Sequence, residues 1–164
     1  MAKFLASVGK TLGLTSLILI VASFGAPGFP MDAEAIGDQT ITRLTNQQRD
    51  AKKLPPLAWN ADLASSALAK AQDMCQQDYW SHANPQGDHA WGLIEDSGYR
   101  YRYAGENLAK GYNTDDQRLF AWMNSPSHRA NILNHDYKEI GSATITCDFQ
   151  GQPNSITVAH YGSQ

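Results

Sequence analysis

Apolar residues recur at helical spacing in the part of the chain that follows residue 38. Ile41 and Leu44 mark a narrow apolar stripe in a polar segment, which predicts a helix between residues 38 and 53 that the next prolines end. A stronger stripe follows Asn60, a residue type that caps helix N-termini. Its apolar positions are Leu63, Ala67, Ala71, Met74 and Cys75. This is the best helical pattern in the chain, and it places Cys75 on the buried face.

After residue 78 the sequence shows a segment of loop-like composition, and later segments in which apolar and polar residues alternate. Residues 79–103 are rich in Gly, Pro, Asn, Asp and aromatic side chains, a composition typical of a long structured loop that carries a function. The elements predicted beyond it are a strand over 105–109, a helix over 115–123, a short helix that Ser125 caps and Pro126 begins, and strands over 139–147 and 155–161 joined by a turn-rich segment. Alternation places Ala143, Ile145 and Cys147 on one strand face. Helices followed by a hairpin predict a single α+β domain with a small antiparallel sheet.

The N-terminus has the parts of a secretory signal peptide. Lysines precede an apolar run over residues 12–26, which is shorter than the ~20 residues that a membrane-spanning helix needs. Ala33-Glu34-Ala35 then supplies a small-x-small cleavage site. We predict a signal peptide over residues 1–35 and a domain over residues 36–164 with no membrane span. Cleavage after Ala26 and an uncleaved signal anchor are the alternatives. The protein is expected to be secreted, or to lie in the periplasm or cell envelope.

Charge and composition exclude several classes of protein. The sequence has 13 Lys and Arg against 16 Asp and Glu, a formal charge of −3. This balance argues against a nucleic-acid-binding protein, which usually carries a basic face. It argues equally against attraction to anionic lipid surfaces. The two cysteines do not form a CxxC pair, so the sequence predicts no zinc finger.

Export changes the interpretation of the two cysteines. In an oxidising compartment, Cys75 and Cys147 are expected to form a disulfide. Two buried free thiols are the alternative. A thiol nucleophile is not expected, because no neighbouring group would lower the pKa of either cysteine.

Histidines and one glutamate are the candidate chemical groups. None of the five histidines lies in an HExxH motif, so each is by default structural or exposed. His128 stands out because it falls in the first turn of the helix that Ser125 caps, where the helix dipole favours the neutral imidazole that binds metals. Glu106 lies between Gly105 and Asn107, either as an exposed edge charge or as a carboxylate presented to a pocket. His82 lies in the structured loop.

Several motifs, taken in order over residues 40–162, make the chain similar to a known family. They are Thr45-Asn46-Gln47-Gln48-Arg49, Leu54-Pro55-Pro56-Leu57-Ala58-Trp59, Ser81-His82-Ala83-Asn84-Pro85, Gly105-Glu106-Asn107-Leu108, Ala121-Trp122-Met123-Asn124-Ser125-Pro126-Ser127-His128-Arg129-Ala130-Asn131-Ile132-Leu133, Glu139-Ile140-Gly141 and Val158-Ala159-His160-Tyr161-Gly162. The segment over 124–133 is the most specific of them. On these motifs the chain resembles the bacterial branch of the CAP superfamily. That superfamily comprises the cysteine-rich secretory proteins, antigen 5 and pathogenesis-related 1 proteins, and its domain is also called the sperm-coating-protein (SCP) domain.

The resemblance implies a three-layer α–β–α sandwich around a cleft. In CAP proteins the cleft presents two histidines, which can bind a divalent metal, and two acidic residues. Carried over by motif, the candidate zinc ligands are His82 and His128, and the first acid is Glu106. Asn107 and Ser125 are implied to lie in the same cleft. The second acid would fall at residue 124 or 125, and neither is acidic here, which is expected to weaken metal affinity and any two-carboxylate mechanism.

These residues lead to two functional predictions, beside which a structural envelope protein with a vestigial cleft stays open. The first is a secreted binding or interaction module whose cleft takes a small ligand, a lipid or an envelope component and can hold zinc. The alternative is a metal-assisted extracellular hydrolase of peptide or cell-wall bonds, with Glu106 as ligand or general base. The missing second acid favours the first, and most members of the superfamily have no agreed reaction. Asp88 and His89 are expected to be a solvated loop pair, and His160 a hydrogen-bonded histidine of the sheet.

Overall fold

The computed structural model describes residues 39–164, so the predicted signal peptide and its cleavage sites lie outside the described residues. The helices are α1 (Thr40–Asp50), α2 (Ala61–Gln76), α3 (Trp91–Asp96), α4 (Asp115–Asn124) and α5 (Pro126–Ile132). The strands are β1 (Ala58–Trp59), β2 (Tyr103–Lys110), β3 (Glu139–Phe149) and β4 (Gln152–Ser163). Over this part of the chain, no helix is both long and apolar enough to cross a membrane.

The sheet has the order β1-β3-β4-β2, which places β2 at an edge. Strands β2, β4 and β3 are antiparallel, as the pattern predicts. The sheet as a whole is nevertheless mixed, because β1 pairs with β3 in parallel through Ala58 and Glu139. A strand of two residues is too short to show alternation, so the sequence could not predict it.

The β3–β4 hairpin is longer than the sequence predicts. Its strands continue to Phe149 and Gln152, so the expected seven-residue connection is a tight turn. Gln150 and Gly151 form this turn with φ values of 55° and 75°. Two residues with positive φ match the right-handed twist of the flanking strands, which favours a long regular hairpin.

Helices cover both faces of the sheet. The core on one face joins α1, α4 and α5 to the sheet, through Ile41, Leu44, Leu119, Trp122, Ile132, Ile140, Ala159 and Tyr161. The core on the other face joins α2 to the sheet, through Ala67, Leu68, Ala71, Met74, Leu108, Ala143, Ile156 and Val158. Successive strand residues point to opposite faces, so β2, β3 and β4 each contribute to both cores. The result is the expected three-layer α–β–α sandwich.

Local signals explain where the helices begin. The side chain of Asn60 accepts hydrogen bonds from the backbone N–H groups of Asp62 and Leu63 and so caps α2, as its sequence position predicts. Thr114 and Gln117 form a reciprocal capping box at the start of α4. The sequence pattern does not predict α3, because a helix of six residues with one buried side chain shows no periodicity.

The disulfide ties α2 to the sheet. Cys75 at the end of α2 is bonded to Cys147 on β3, which confirms the predicted pairing and excludes the two free thiols. Both cysteines pack against the α2 core, together with Ile145. The disulfide therefore fixes the C-terminal end of α2, after which the loop containing His82 begins.

Candidate functional site

A buried carboxylate lies at the centre of the site. Glu106 on β2 is directly opposite His160 on β4, and its side chain is 2% exposed. One carboxylate oxygen, Oε1, lies 2.5 Å from Nδ1 of His82, and the other, Oε2, lies 3.0 Å from Nε2 of His160. The exposed edge charge is therefore not observed, because the carboxylate of Glu106 is buried between two histidines.

His160 continues the network into α2. Its Nδ1 lies 2.7 Å from the hydroxyl oxygen of Ser66, and this hydroxyl donates to the carbonyl oxygen of Leu63. The predicted hydrogen-bonded histidine of the sheet is thus observed. Its contact with Glu106 was missed, because the register between distant strands is not visible in local sequence. The resulting chain of contacts runs from His82 through Glu106 and His160 to Ser66.

The two histidines keep Glu106 ionised. Burial, the largest single influence, raises the pKa of Glu106, but hydrogen bonds from His160 and His82, together with the charges of His160 and Lys70, outweigh it, so the pKa lies below its ordinary value. The same hydrogen bond raises the pKa of His82, against the opposing effect of burial. Folding therefore favours a negative carboxylate between two ring nitrogens.

A buried lysine supports the loop that carries His82. Lys70 on α2 is almost fully buried, and its ammonium group donates to the hydroxyl of Tyr79 and to the backbone carbonyl of His82, at 2.9 and 3.1 Å. Its positive charge also contributes to the low pKa of Glu106. Lys70 was not singled out from the sequence, although it lies three residues after Ala67 on the apolar stripe of α2. A lysine at a core position of a helix is the signal that could have identified it.

His128 approaches the site from α5. Its Nδ1 lies 2.8 Å from the hydroxyl oxygen of Ser125. Burial lowers the pKa of His128, and the positive charge of nearby His82 lowers it further. The direction agrees with the neutral imidazole expected at this position, although the cause is burial and a neighbouring charge. Ser125 precedes α5 as predicted, but its hydroxyl contacts His128 in place of the capping bond.

Asn107 supports the site from behind. It is fully buried on the face of β2 opposite to Glu106, where its amide donates to the carbonyl of His128 and accepts from Asn131. Asn131 also donates to the backbone carbonyl of Glu106. The structure therefore gives Asn107 a role in docking α5 against β2, and its side chain does not line the cleft.

His82 and His128 are the two imidazoles that the family resemblance implies as metal ligands. His82 and His128 each use Nδ1 for a contact with a protein oxygen, which leaves Nε2 as the ring nitrogen able to bind a metal. Both oxygens of Glu106 are engaged by histidines, so this carboxylate orients His82 and does not face outward as a third ligand. Across residues 39–164, no three His, Cys, Asp or Glu side chains are grouped so that they could hold a metal together. The donor set suits zinc but is incomplete.

The remaining candidates lie outside this network. Asp88 is exposed and accepts a hydrogen bond from Asn84, while the ring of His89 stacks on Trp91. The exposed His135 contacts the carboxylate of Asp136. Neither histidine joins the contacts of Glu106.

Comparisons with known proteins agree with the fold. The model of the cysteine-rich secretory protein family, CAP, matches residues 42–161. The uncharacterized protein YkwD of Bacillus subtilis is 39% identical over 104 residues, which are 63% of this chain and 40% of that protein. Among solved structures, an extracellular protein containing an SCP domain from Bacillus anthracis aligns with a TM-score of 0.68 and 25% identity, over 85% of this chain and 45% of that chain.

A second solved structure, an outer surface protein from Borrelia burgdorferi, aligns with a TM-score of 0.65 over 77% of this chain and 96% of that chain. Its identity of 20% supports the fold alone. The chain spans less than half the length of YkwD and of the Bacillus anthracis protein. The family match, together with the α–β–α sandwich, shows that this chain belongs to the cysteine-rich secretory protein (CAP) family.

Proposed function

We propose that the chain is an exported binding module whose cleft binds a divalent metal, preferentially zinc, through Nε2 of His82 and of His128. The observation that carries this proposal is that both histidines use Nδ1 for a contact with a protein oxygen, which leaves Nε2 of each ring for a metal. Each histidine contacts a fixed oxygen with Nδ1, from Glu106 in one case and from Ser125 in the other. Histidines that ligate metals usually donate their second ring nitrogen to such an oxygen, which fixes the tautomer.

Two histidines leave coordination positions for other molecules. Zinc in proteins is usually four-coordinate, and a site with open positions accepts water or a ligand. When bound, the metal would supply a Lewis-acidic position for an oxygen or nitrogen of that ligand. A small ligand or an envelope component with such an atom is therefore the proposed partner.

Binding has more support than the metal-assisted hydrolysis considered from the sequence. A general base must reach a water molecule with a free acceptor atom. In Glu106 both oxygens are engaged, and the side chain is 2% exposed. The residues at positions 124 and 125, asparagine and serine, supply no second carboxylate.

Calorimetric titration of metal-stripped residues 36–164 with zinc tests the proposed site. We expect stoichiometric binding by the wild type and its loss in His82→Ala and in His128→Ala. His135→Ala is the matched control, because the exposed side chain of His135 contacts the carboxylate of Asp136 and lies outside the network of Glu106. Equal uptake by all four proteins, or no uptake by folded wild type, would refute the metal site.

Export rests on separate observations. The lysines, apolar run and Ala33-Glu34-Ala35 site support a signal peptide, and a disulfide such as Cys75–Cys147 is typical of an oxidising compartment. The similarity to an extracellular SCP-domain protein supports the same location. Fusion of residues 1–35 to a reporter that is active only outside the cytoplasm tests this, and a reporter that stays inactive contradicts it.

A further inference from the structure

Aromatic rings form a row in the segment that connects α2 to β2 along the chain. The rings of His89 and Trp91 are stacked, with centroids 6.3 Å apart and planes inclined by 13°. Trp91 also contacts Tyr101, at 6.5 Å between ring centroids. The row stays open to solvent, because Trp91 at the start of α3 is 36% exposed. Packing of α3 depends on Ile94, which is fully buried, so the core does not require an indole at position 91.

The row borders a cavity of about 540 Å³. His89 and Trp91 line it together with polar residues, among them Asp73, Asn84, Asp88 and Asp96. Its volume lies within the range of small-ligand sites, which is roughly 300–1,000 Å³. An aromatic wall beside carboxylate and amide groups gives the cavity one face for stacking and one face for hydrogen bonds.

The charges of the lining restrict the ligand. Three aspartates face one lysine, Lys70, whose ammonium group already donates to Tyr79 and to the carbonyl of His82. An anionic ligand is therefore disfavoured. Carboxylates accept hydrogen bonds from hydroxyl groups, and the negative face of an aromatic ring attracts polarised C–H bonds. A sugar ring presents both groups, C–H bonds on its face and hydroxyls on its edge.

We propose that the row of His89, Trp91 and Tyr101 and the adjacent cavity form a binding site for a neutral glycan built from hexose or N-acetylhexosamine units. One sugar ring stacks on Trp91, and its hydroxyl groups donate to Asp88 and to neighbouring oxygens of the cavity. Neither His82 nor His128 lines the cavity, so the proposal does not require bound zinc.

Titration of the purified protein with chitotetraose and with cellotetraose, followed by tryptophan fluorescence and calorimetry, tests the proposal. Binding of at least one oligosaccharide is expected, and Trp91→Ala should weaken it about tenfold, because the stacking surface is lost. Trp80→Ala is the matched control: Trp80 is 38% exposed, but it packs on Phe149 beside Lys110 and does not line the cavity. The affinity of Trp80→Ala for the oligosaccharide should equal that of the wild type.

A second variant guards against misfolding of Trp91→Ala. Asp88→Asn changes an exposed loop carboxylate and should also weaken binding, with an unchanged circular dichroism spectrum. A chelator should leave the affinity unchanged, which separates this site from the metal proposal. The proposal is overturned if folded wild type binds neither oligosaccharide, if Trp91→Ala and Asp88→Asn bind like wild type, or if a sulfated glycan binds more tightly than the neutral ones.

Discussion

Glu106 and His160 face each other across the β2–β4 pair, with 3.0 Å between Oε2 and Nε2 and side chains that are 2% and 0% exposed. A buried carboxylate is stable only when its oxygens have partners. His160 provides one partner from within the sheet, so the second oxygen points toward His82 in the loop after α2. The orientation of a half-exposed loop histidine is thus set by a buried pair of strand residues.

This pair predicts how stability depends on pH. The folded-state pKa of Glu106 lies below its ordinary value of 4.5, so folding favours the ionised form. Its contribution to the free energy of unfolding is complete above the unfolded pKa and is lost as pH falls through the lower folded-state pKa. Glu106→Gln should therefore flatten the acid limb of the stability profile. It should also lower the free energy of unfolding at neutral pH by about 1–3 kcal/mol, because two histidines lose a charged acceptor.

Urea denaturation of both proteins across the acid range measures this effect. Glu95→Gln is the control, because it removes an exposed carboxylate of α3 and should keep the acid limb of the wild type. An acid limb in Glu106→Gln as steep as that of the wild type would show that the buried carboxylate does not cause it.

Local sequence predicted the elements better than the contacts between them. The apolar stripe after Asn60 and the alternation before Cys147 identify α2 and β3, because each pattern is confined to one element. The three layers, and the choice of His82 and His128 as candidate zinc ligands, came from the family resemblance. The contact between Glu106 and His160 depends on a strand register across 54 residues, and no local pattern encodes it. Lys70 was missed for a different reason. Lysine side chains usually keep their charged end in water, and only its position on the apolar stripe of α2 indicates that this one is buried.

If the proposed zinc site exists, Ser125 should tune it. The Ser125 hydroxyl contacts Nδ1 of His128, and loss of such an orienting contact typically weakens metal affinity about 10- to 100-fold. Ser125→Ala should therefore weaken zinc binding by at least about tenfold without unfolding the protein. Ser127→Ala is the matched control, since this exposed hydroxyl approaches Ser125 and does not contact His128. Competition with a zinc-sensitive dye gives both affinities, and equal values would remove Ser125 from the site.

The disulfide should contribute strongly to stability. Cys75 and Cys147 are 72 residues apart, and closing a loop of that length lowers the entropy of the unfolded chain by an amount worth about 4 kcal/mol. Reductant should therefore shift the urea midpoint of the wild type to lower concentration. The double variant Cys75→Ala, Cys147→Ala should unfold near the reduced wild type and be insensitive to reductant. Coincident curves for oxidised and reduced wild type would contradict the expectation.

Close packing of α2 on β3 gives a last prediction. A methyl group at Gly141 would collide with the backbone of Leu63 and Ala64, whereas one at Gly92 on α3 meets no atom within 4 Å. Gly141→Ala should therefore lower the free energy of unfolding by about 1–3 kcal/mol or more, because backbone cannot move aside as a side chain can. Gly92→Ala should be neutral or raise it by up to about 1 kcal/mol, because alanine favours helix. Urea denaturation compares both with the wild type. If Gly141→Ala matched Gly92→Ala, α2 would not lie this close to the sheet, and Ser66 on α2 could not reach His160.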